Sequence, residues 1–263
     1  MKFSKMQSLG NDFVVINALR ESFDLDASGI QALSDRHLGI GFDQLLVLAP
    51  STDPLADFDY LIFNADGSRV TQCGNGARCL AGFIKKNRLS DKQTFILNTS
   101  ADCLEVSCLN DKFARLVVNR FDLLQSIFQF ELDGQSFSGA IIDIGNPHLV
   151  LFGYTVDDAM IDSMGAFLQS HAAFPEGVNV NFASIDDQKN IRLRVYERGV
   201  GQTLACGSGA MATAMVGMLK KLINNSVMVQ QPGGDLTVTY WKDKHQVCLD
   251  GPIAHVFDGE VTQ

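Results

Sequence analysis

The chain has 263 residues, enough to bury one large core or two. Its net charge of −9 and the lack of any basic run argue against nucleic acid, where phosphate neutralisation dominates binding, and against an anionic membrane surface. No apolar run approaches the roughly 18 residues of a transmembrane helix, and the first one stops at Asn17, which does not read as a signal peptide.

Taken in order, strand-like apolar runs occupy 13–16, 45–48, 60–63, 95–97, 116–118, 140–144, 149–152, 178–182, 191–196, 227–229, 236–240 and 246–249. The alternation Ile191-Arg192-Leu193-Arg194-Val195 is that of a half-buried strand. Helices are fewer. Residues 75–86 place Ala77, Leu80, Ala81 and Ile84 on one stripe, while 208–219 is apolar nearly all round and predicts a fully buried helix. Segments 28–37 and 156–170 predict one further helix in each half. Six cysteines in a chain read as leaderless are expected to be reduced thiols in a cytoplasm.

Two segments repeat one another. Asn64 precedes Cys73 by 9 positions and Glu197 precedes Cys206 by 9, and each cysteine opens a Cys-Gly-x-Gly-Ala sequence. The cysteines stand 133 residues apart; Gly10-Asn11 recurs as Gly145-Asn146, and Gln44 recurs as Asn179, both 135 apart. Self-similarity at half the chain length controls the fold expectation. It is an α+β protein of two pseudo-symmetric domains, each a mostly antiparallel sheet wrapped around a central helix. The halves are expected at 1–118 and 119–251, with the crossing in 119–126 and a tail, 252–263, able to return to either.

A cysteine at a helix start meets unpaired N–H groups and the positive end of the helix dipole, both of which favour thiolate. The glycines beside it let a ligand approach the backbone, where a carboxylate can be cradled. Two such thiols facing opposite sides of one Cα would perform two-base racemisation, one abstracting the proton and the other returning one. No nucleotide or phosphate fingerprint is present, and no Cys-x-x-Cys spacing, so neither cofactor nor metal is expected. Cys79, Cys103, Cys108 and Cys248 read as small buried hydrophobes. Outside this context Asn11 and Asn146 are ordinary turn formers, His148 an ordinary core histidine, and Glu197-Arg198 a solvated pair.

The chain resembles the diaminopimelate epimerase family, which works without pyridoxal. The likeness runs essentially end to end, through Leu9-Gly10-Asn11-Asp12-Phe13, Gly41-Phe42-Asp43-Gln44, Phe63-Asn64-Ala65-Asp66-Gly67-Ser68 and Cys73-Gly74-Asn75-Gly76-Ala77-Arg78-Cys79. It continues through Gly145-Asn146-Pro147-His148, Gly177-Val178-Asn179, Tyr196-Glu197-Arg198-Gly199 and Ala205-Cys206-Gly207-Ser208-Gly209-Ala210. The resemblance implies the family's fold and interconversion of LL- and meso-2,6-diaminopimelate, serving lysine and cell-wall precursor synthesis. It implies that Cys73 and Cys206 are the acid–base pair and that His148 and Glu197 adjust their pKa values. Substrate contacts carry over to Asn11, Gln44, Asn64, Gly74, Asn75, Asn146, Asn179, Glu197, Arg198, Gly207 and Ser208. A homodimer is also implied, although Phe257 stands where a tyrosine is expected at the dimer contact. Two alternatives stay open: a proline or hydroxyproline racemase of the same build, and a non-catalytic amino-acid binder. A thiol redox protein is disfavoured because neighbouring cysteines are missing.

Overall fold

The computed structural model describes residues 1–20, 23–154 and 156–261. The chain divides into two compact units, Met1–Val117 with Asp250–Gln263, and Val118–Leu249.

In the first unit, strand Lys2–Ser8 turns back through Leu9 and Gly10 into strand Asn11–Asn17. Both turn residues have positive φ, 56° and 85°, the two-residue hairpin whose twist matches antiparallel strands. Asn11–Asn17 runs parallel to Gln44–Pro50 after a crossover holding helix α1 (Ala27–Ser34), whose N-terminus is capped by Asp26. Gln44–Pro50 pairs antiparallel with Phe58–Asn64, and helix α2 (Gly74–Lys86) follows. Thr94–Asn98 then joins Phe58–Asn64 in parallel and leads into the antiparallel strands Cys103–Asn110 and Phe113–Val118. Ala254–Glu260 lies antiparallel on Lys2–Ser8, so this unit receives the end of the chain. There the Phe257 ring meets the edge of Phe3 at 5.9 Å between centroids.

The second unit goes through the same succession of pairings. Asp122–Leu132 and Gln135–Asp143 form a long hairpin, and Gln135–Asp143 pairs with Pro147–Phe152. Pro147–Phe152 runs parallel to Asn179–Asp187 across a crossover holding helix α3 (Asp158–Gln169). Asn190–Glu197 follows antiparallel, then helix α4 (Gly207–Leu219). Ser226–Gln231 returns parallel to Asn190–Glu197 and continues antiparallel into Gly234–Trp241.

The parallel pairs are sandwiched, which explains their unbroken apolar runs. Phe13–Ile16 and Leu45–Leu48 are buried on both faces: Val14, Ile16, Leu45 and Val47 pack with α1, and Leu46 lies against Gly76 of α2. The expected stripe of α2, Ala77, Leu80, Ala81 and Ile84, is fully buried. In α4 every residue from Gly209 to Met218 is buried, as its all-round apolarity predicts. Burying each of Met211, Met215, Val216 and Met218 contributes ~1.5–3 kcal/mol. Among the described residues, no helix is long and apolar enough to cross a membrane.

Several elements differ from expectation. Residues 122–126, expected as a crossing, already belong to strand Asp122–Leu132, most of which is exposed apart from Phe128 and Phe130. Strands Lys2–Ser8, Cys103–Asn110 and Ala254–Glu260 were not expected; Lys2–Ser8 and Ala254–Glu260 have no clean apolar alternation, and in Cys103–Asn110 the alternation of Leu104 and Val106 with Glu105 and Ser107 is short. Helices α1 and α3 end earlier than 37 and 170, at Ser34 and Gln169.

Candidate active site

Cys73 and Cys206 occupy the same local structure. Each is the residue that caps a 13-residue helix, in extended backbone (φ −145°, ψ 109° and φ −128°, ψ 116°). Each sulfur accepts the N–H of the third helical residue, Gly76 or Gly209, at 3.4 Å, while its carbonyl accepts from Ala77 or Ala210. Gly74 and Asn75, and likewise Gly207 and Ser208, are first-turn positions whose N–H groups have no partner within the helix, as an anion cradle requires.

In the first unit one of the predicted residues, Asn11, meets Cys73 directly, and others pair among themselves. The thiol lies 4.0 Å from Asn11 Oδ1, and Asn11 Nδ2 donates to Asp43 (3.0 Å). Arg36 forks onto Asp12 and reaches Asp43, which pins the loop carrying Asn11. Gln44 and Asn64 face one another across adjacent strands and are joined at 3.2 Å. Asn75 is not held open for a ligand through its oxygen, because Oδ1 accepts from the buried Arg78 at 2.7 Å. Tyr60 donates its hydroxyl to the Cys73 carbonyl (3.2 Å) and fills the space above Gly76, where an added Cβ would come 2.2 Å from the tyrosine oxygen.

In the second unit Cys206 is buried and has different company. Its sulfur lies 3.4 Å from Ser208 Oγ, and its N–H donates to Gln231 Oε1 at 2.8 Å. Glu197 interacts with the thiol and accepts from Thr203 Oγ1 at 2.6 Å. Asn179 accepts the Arg198 N–H (3.0 Å) and donates to the Pro147 carbonyl, so it shapes the strand ends that carry Arg198 and His148. The exposed Arg198 gives one Nη1 hydrogen bond to the Glu176 carbonyl (3.1 Å). Both His148 ring nitrogens are engaged, one with Asn146 at 3.1 Å and one with Asn181 at 3.2 Å. Asn181 in turn donates to the Gly209 carbonyl (3.0 Å), so the histidine reaches the Cys206 turn through one intermediary.

Electrostatics separate these groups. Burial pushes the Cys206 thiol well above its ordinary range and the Glu197 carboxylate adds to that, against the opposing Ser208 and Gly209 hydrogen bonds. Desolvation therefore outweighs the helix terminus, contrary to the expectation that both cysteines lean toward thiolate. Burial also lowers His148 to about 4, so it is neutral at physiological pH. Cys79, fully buried, is pushed up by desolvation and stays a neutral thiol.

Tyr60, Arg78, Asn181 and Gln231 were not anticipated as neighbours of the two cysteine turns. Arg78 stands in the motif itself, whereas Tyr60, Asn181 and Gln231 arrive from strands whose apolar pattern gives no sign of it.

A diaminopimelate epimerase family profile matches residues 3–120 and 140–256. Among solved structures, the chain is similar to a protein described as a predicted epimerase from Pseudomonas aeruginosa, at 16% identity and TM-score 0.73, covering 100% of this chain and 99% of that one. It is similar to a hydroxyproline epimerase from Agrobacterium vitis with bound trans-4-hydroxy-L-proline, at 14% identity and TM-score 0.72, covering 98% and 91%. It is also similar to a phenazine biosynthesis protein of the PhzF family from Bacillus anthracis, at 14% identity and TM-score 0.68, covering 100% and 99%. At these identities the structural likenesses speak for the fold. With its profile spanning nearly the whole length, the chain belongs to the diaminopimelate epimerase family, whose relatives by fold include epimerases and racemases.

Proposed function

We propose that the protein is a cofactor-independent epimerase that interconverts LL- and meso-2,6-diaminopimelate, with Cys73 and Cys206 as its two acid–base groups. The observation that carries this reading is the matched cap geometry, which puts a thiol beside free N–H groups at the start of both α2 and α4. We read the two units as duplicated, pseudo-symmetric copies. On this reading the first-turn amides of Gly74 and Asn75, and those of Gly207 and Ser208, each offer a cradle for the substrate α-carboxylate and stabilise the charge that develops as the α-proton leaves. Burial and Glu197 keep Cys206 in its thiol form, which makes it the proton donor at rest and Cys73 the acceptor. The reverse reaction exchanges these roles. Arg198, exposed and with donors to spare, takes the distal carboxylate as a fork, and Glu197 with Asn64 meets an ammonium. A soluble cytoplasmic enzyme supplying lysine and cell-wall precursors fits this chemistry.

A second reading, proline or hydroxyproline racemisation, draws on the fold shared with such an enzyme. It leaves Arg198 without a task, since those substrates have no second carboxylate. Incubation with LL-diaminopimelate, L-proline and trans-4-hydroxy-L-proline, followed by chiral separation, decides between them. Epimerisation of diaminopimelate alone is expected, with loss of turnover in Arg198→Lys because a point charge cannot replace the fork. Turnover of the cyclic amino acids alone would overturn the assignment.

A further inference from the structure

Arg78 is fully buried within α2, yet only part of its guanidinium is satisfied. Its Nη2 donates to Asn75 Oδ1 (2.7 Å) and to Ser8 Oγ (3.0 Å), while Nε and Nη1 have no hydrogen-bond partner among the described residues. A buried guanidinium is costly and cannot shed its proton, so its charge demands compensation. Helical side chains lean toward the N-terminus, and the bond to Asn75, three residues back, shows that Arg78 does so here, toward the turn that Cys73 caps. Ser8 is the last residue of its strand and pairs with Asn11 across the Leu9-Gly10 turn. One side chain thus ties the first turn of α2 to the hairpin that brings Asn11 against Cys73.

We propose that Arg78 is a positioning residue whose buried charge stabilises the anionic form of Cys73 and whose two hydrogen bonds hold Asn75 and the Asn11 hairpin in place. This rests on reading Cys73 as the proton acceptor. Among the described residues, Cys79, Cys73 and Asp250 act electrostatically on Arg78. Asp250 is already forked by Arg115 at 2.6 Å on both oxygens, and Cys79 is held neutral by its burial. Tyr60, also near both thiols, is pushed well above its ordinary range by burial and stays neutral. Lys5 is spent on Asp12, and Glu105 lies on the face of its strand opposite the buried Leu104 and Val106. That leaves Cys73, half-buried at the helix start two residues before Asn75, as a group on which the charge can act.

The test is the pH dependence of Cys73 alkylation by iodoacetamide, read by peptide mass mapping, in the wild-type protein, Arg78→Lys and Arg78→Met. In the wild type the midpoint is expected below the ~8.5 of a free cysteine. Removal of the charge in Arg78→Met is expected to raise it by about one unit or more, an about tenfold slower reaction at neutral pH, with Arg78→Lys in between. A wild-type midpoint at or above the free-cysteine value overturns the proposal even if the methionine variant fails to fold. So does an unchanged midpoint in a folded Arg78→Met. Alkylation does not depend on turnover: a protein that fails to epimerise but shows these shifts would refute the substrate assignment and leave the role of Arg78 standing.

Discussion

The two cysteine turns share a backbone and differ in everything around it. Cys73 is half-buried beside a neutral tyrosine and a buried guanidinium, whereas Cys206 is buried beside a carboxylate, a serine and a glutamine. Matched local geometry therefore carries different surroundings. A helix N-terminus supplies the cap, while burial and the nearest charge set the protonation state. On the proposed reading a reversible two-base reaction needs one acid and one base at rest, and the surroundings of Cys206 suit it to be the acid.

The largest expected effect comes from removing either member. Cys73→Ala and Cys206→Ala should each lower epimerisation by roughly 10²–10⁴-fold, the range of a lost general acid or base, with circular dichroism unchanged. Near-wild-type turnover in either would break the pairing of the two turns.

The matched helix starts were legible in the sequence because Cys-Gly-x-Gly-Ala recurs and because the helices it opens have unmistakable apolar patterns. What was illegible follows from two physical facts. Strand Lys2–Ser8 buries Ser4 and Lys5 along with Phe3 and Met6, so no alternation marks it. Strand Asp122–Leu132 is mostly exposed, so it looks like a linker. The surroundings of the thiols were hidden for another reason. Tyr60 and Gln231 come from strands 13 residues before Cys73 and 25 after Cys206, and only the pairing of those strands brings them in. Asn11, by contrast, could be picked out because it has a counterpart 135 residues on.

The next effect concerns the second unit alone. His148 is held near 4 in the folded chain against an unfolded value near 6.5, so the unfolded state binds the extra proton between these values. Its contribution to stability is present above about pH 6.5 and lost as pH falls toward 4, a change on the order of 3 kcal/mol. Urea unfolding at several pH values should show this slope in the wild type and a shallower one in His148→Gln.

A smaller difference separates the glycines that follow each cysteine. Gly76→Ala would drive a Cβ to 2.2 Å from the Tyr60 hydroxyl, whereas Gly209→Ala meets Val195 at 3.1 Å. Overpacking should cost Gly76→Ala about 1–3 kcal/mol, and Gly209→Ala less, in denaturant unfolding. Tyr60→Phe should recover part of the loss at Gly76 only. Equal costs would mean that the two turns are packed more alike than their neighbours suggest.

The smallest effect tests the charge beside Cys206. Glu197→Gln removes a carboxylate that raises this thiol, so the midpoint of Cys206 alkylation should fall by about one unit, while that of Cys73 should hold. Burial, the larger cause, is untouched, which limits the shift.

Deuterium incorporation in the first turnovers of LL-diaminopimelate in deuterated water tests the two-base account most directly. Two distinct groups predict that newly formed meso product carries solvent deuterium at the inverted Cα while the remaining LL substrate keeps its proton. Product that retains the original proton, or label appearing equally fast in substrate and product, would mean that one group serves both faces and would contradict the account.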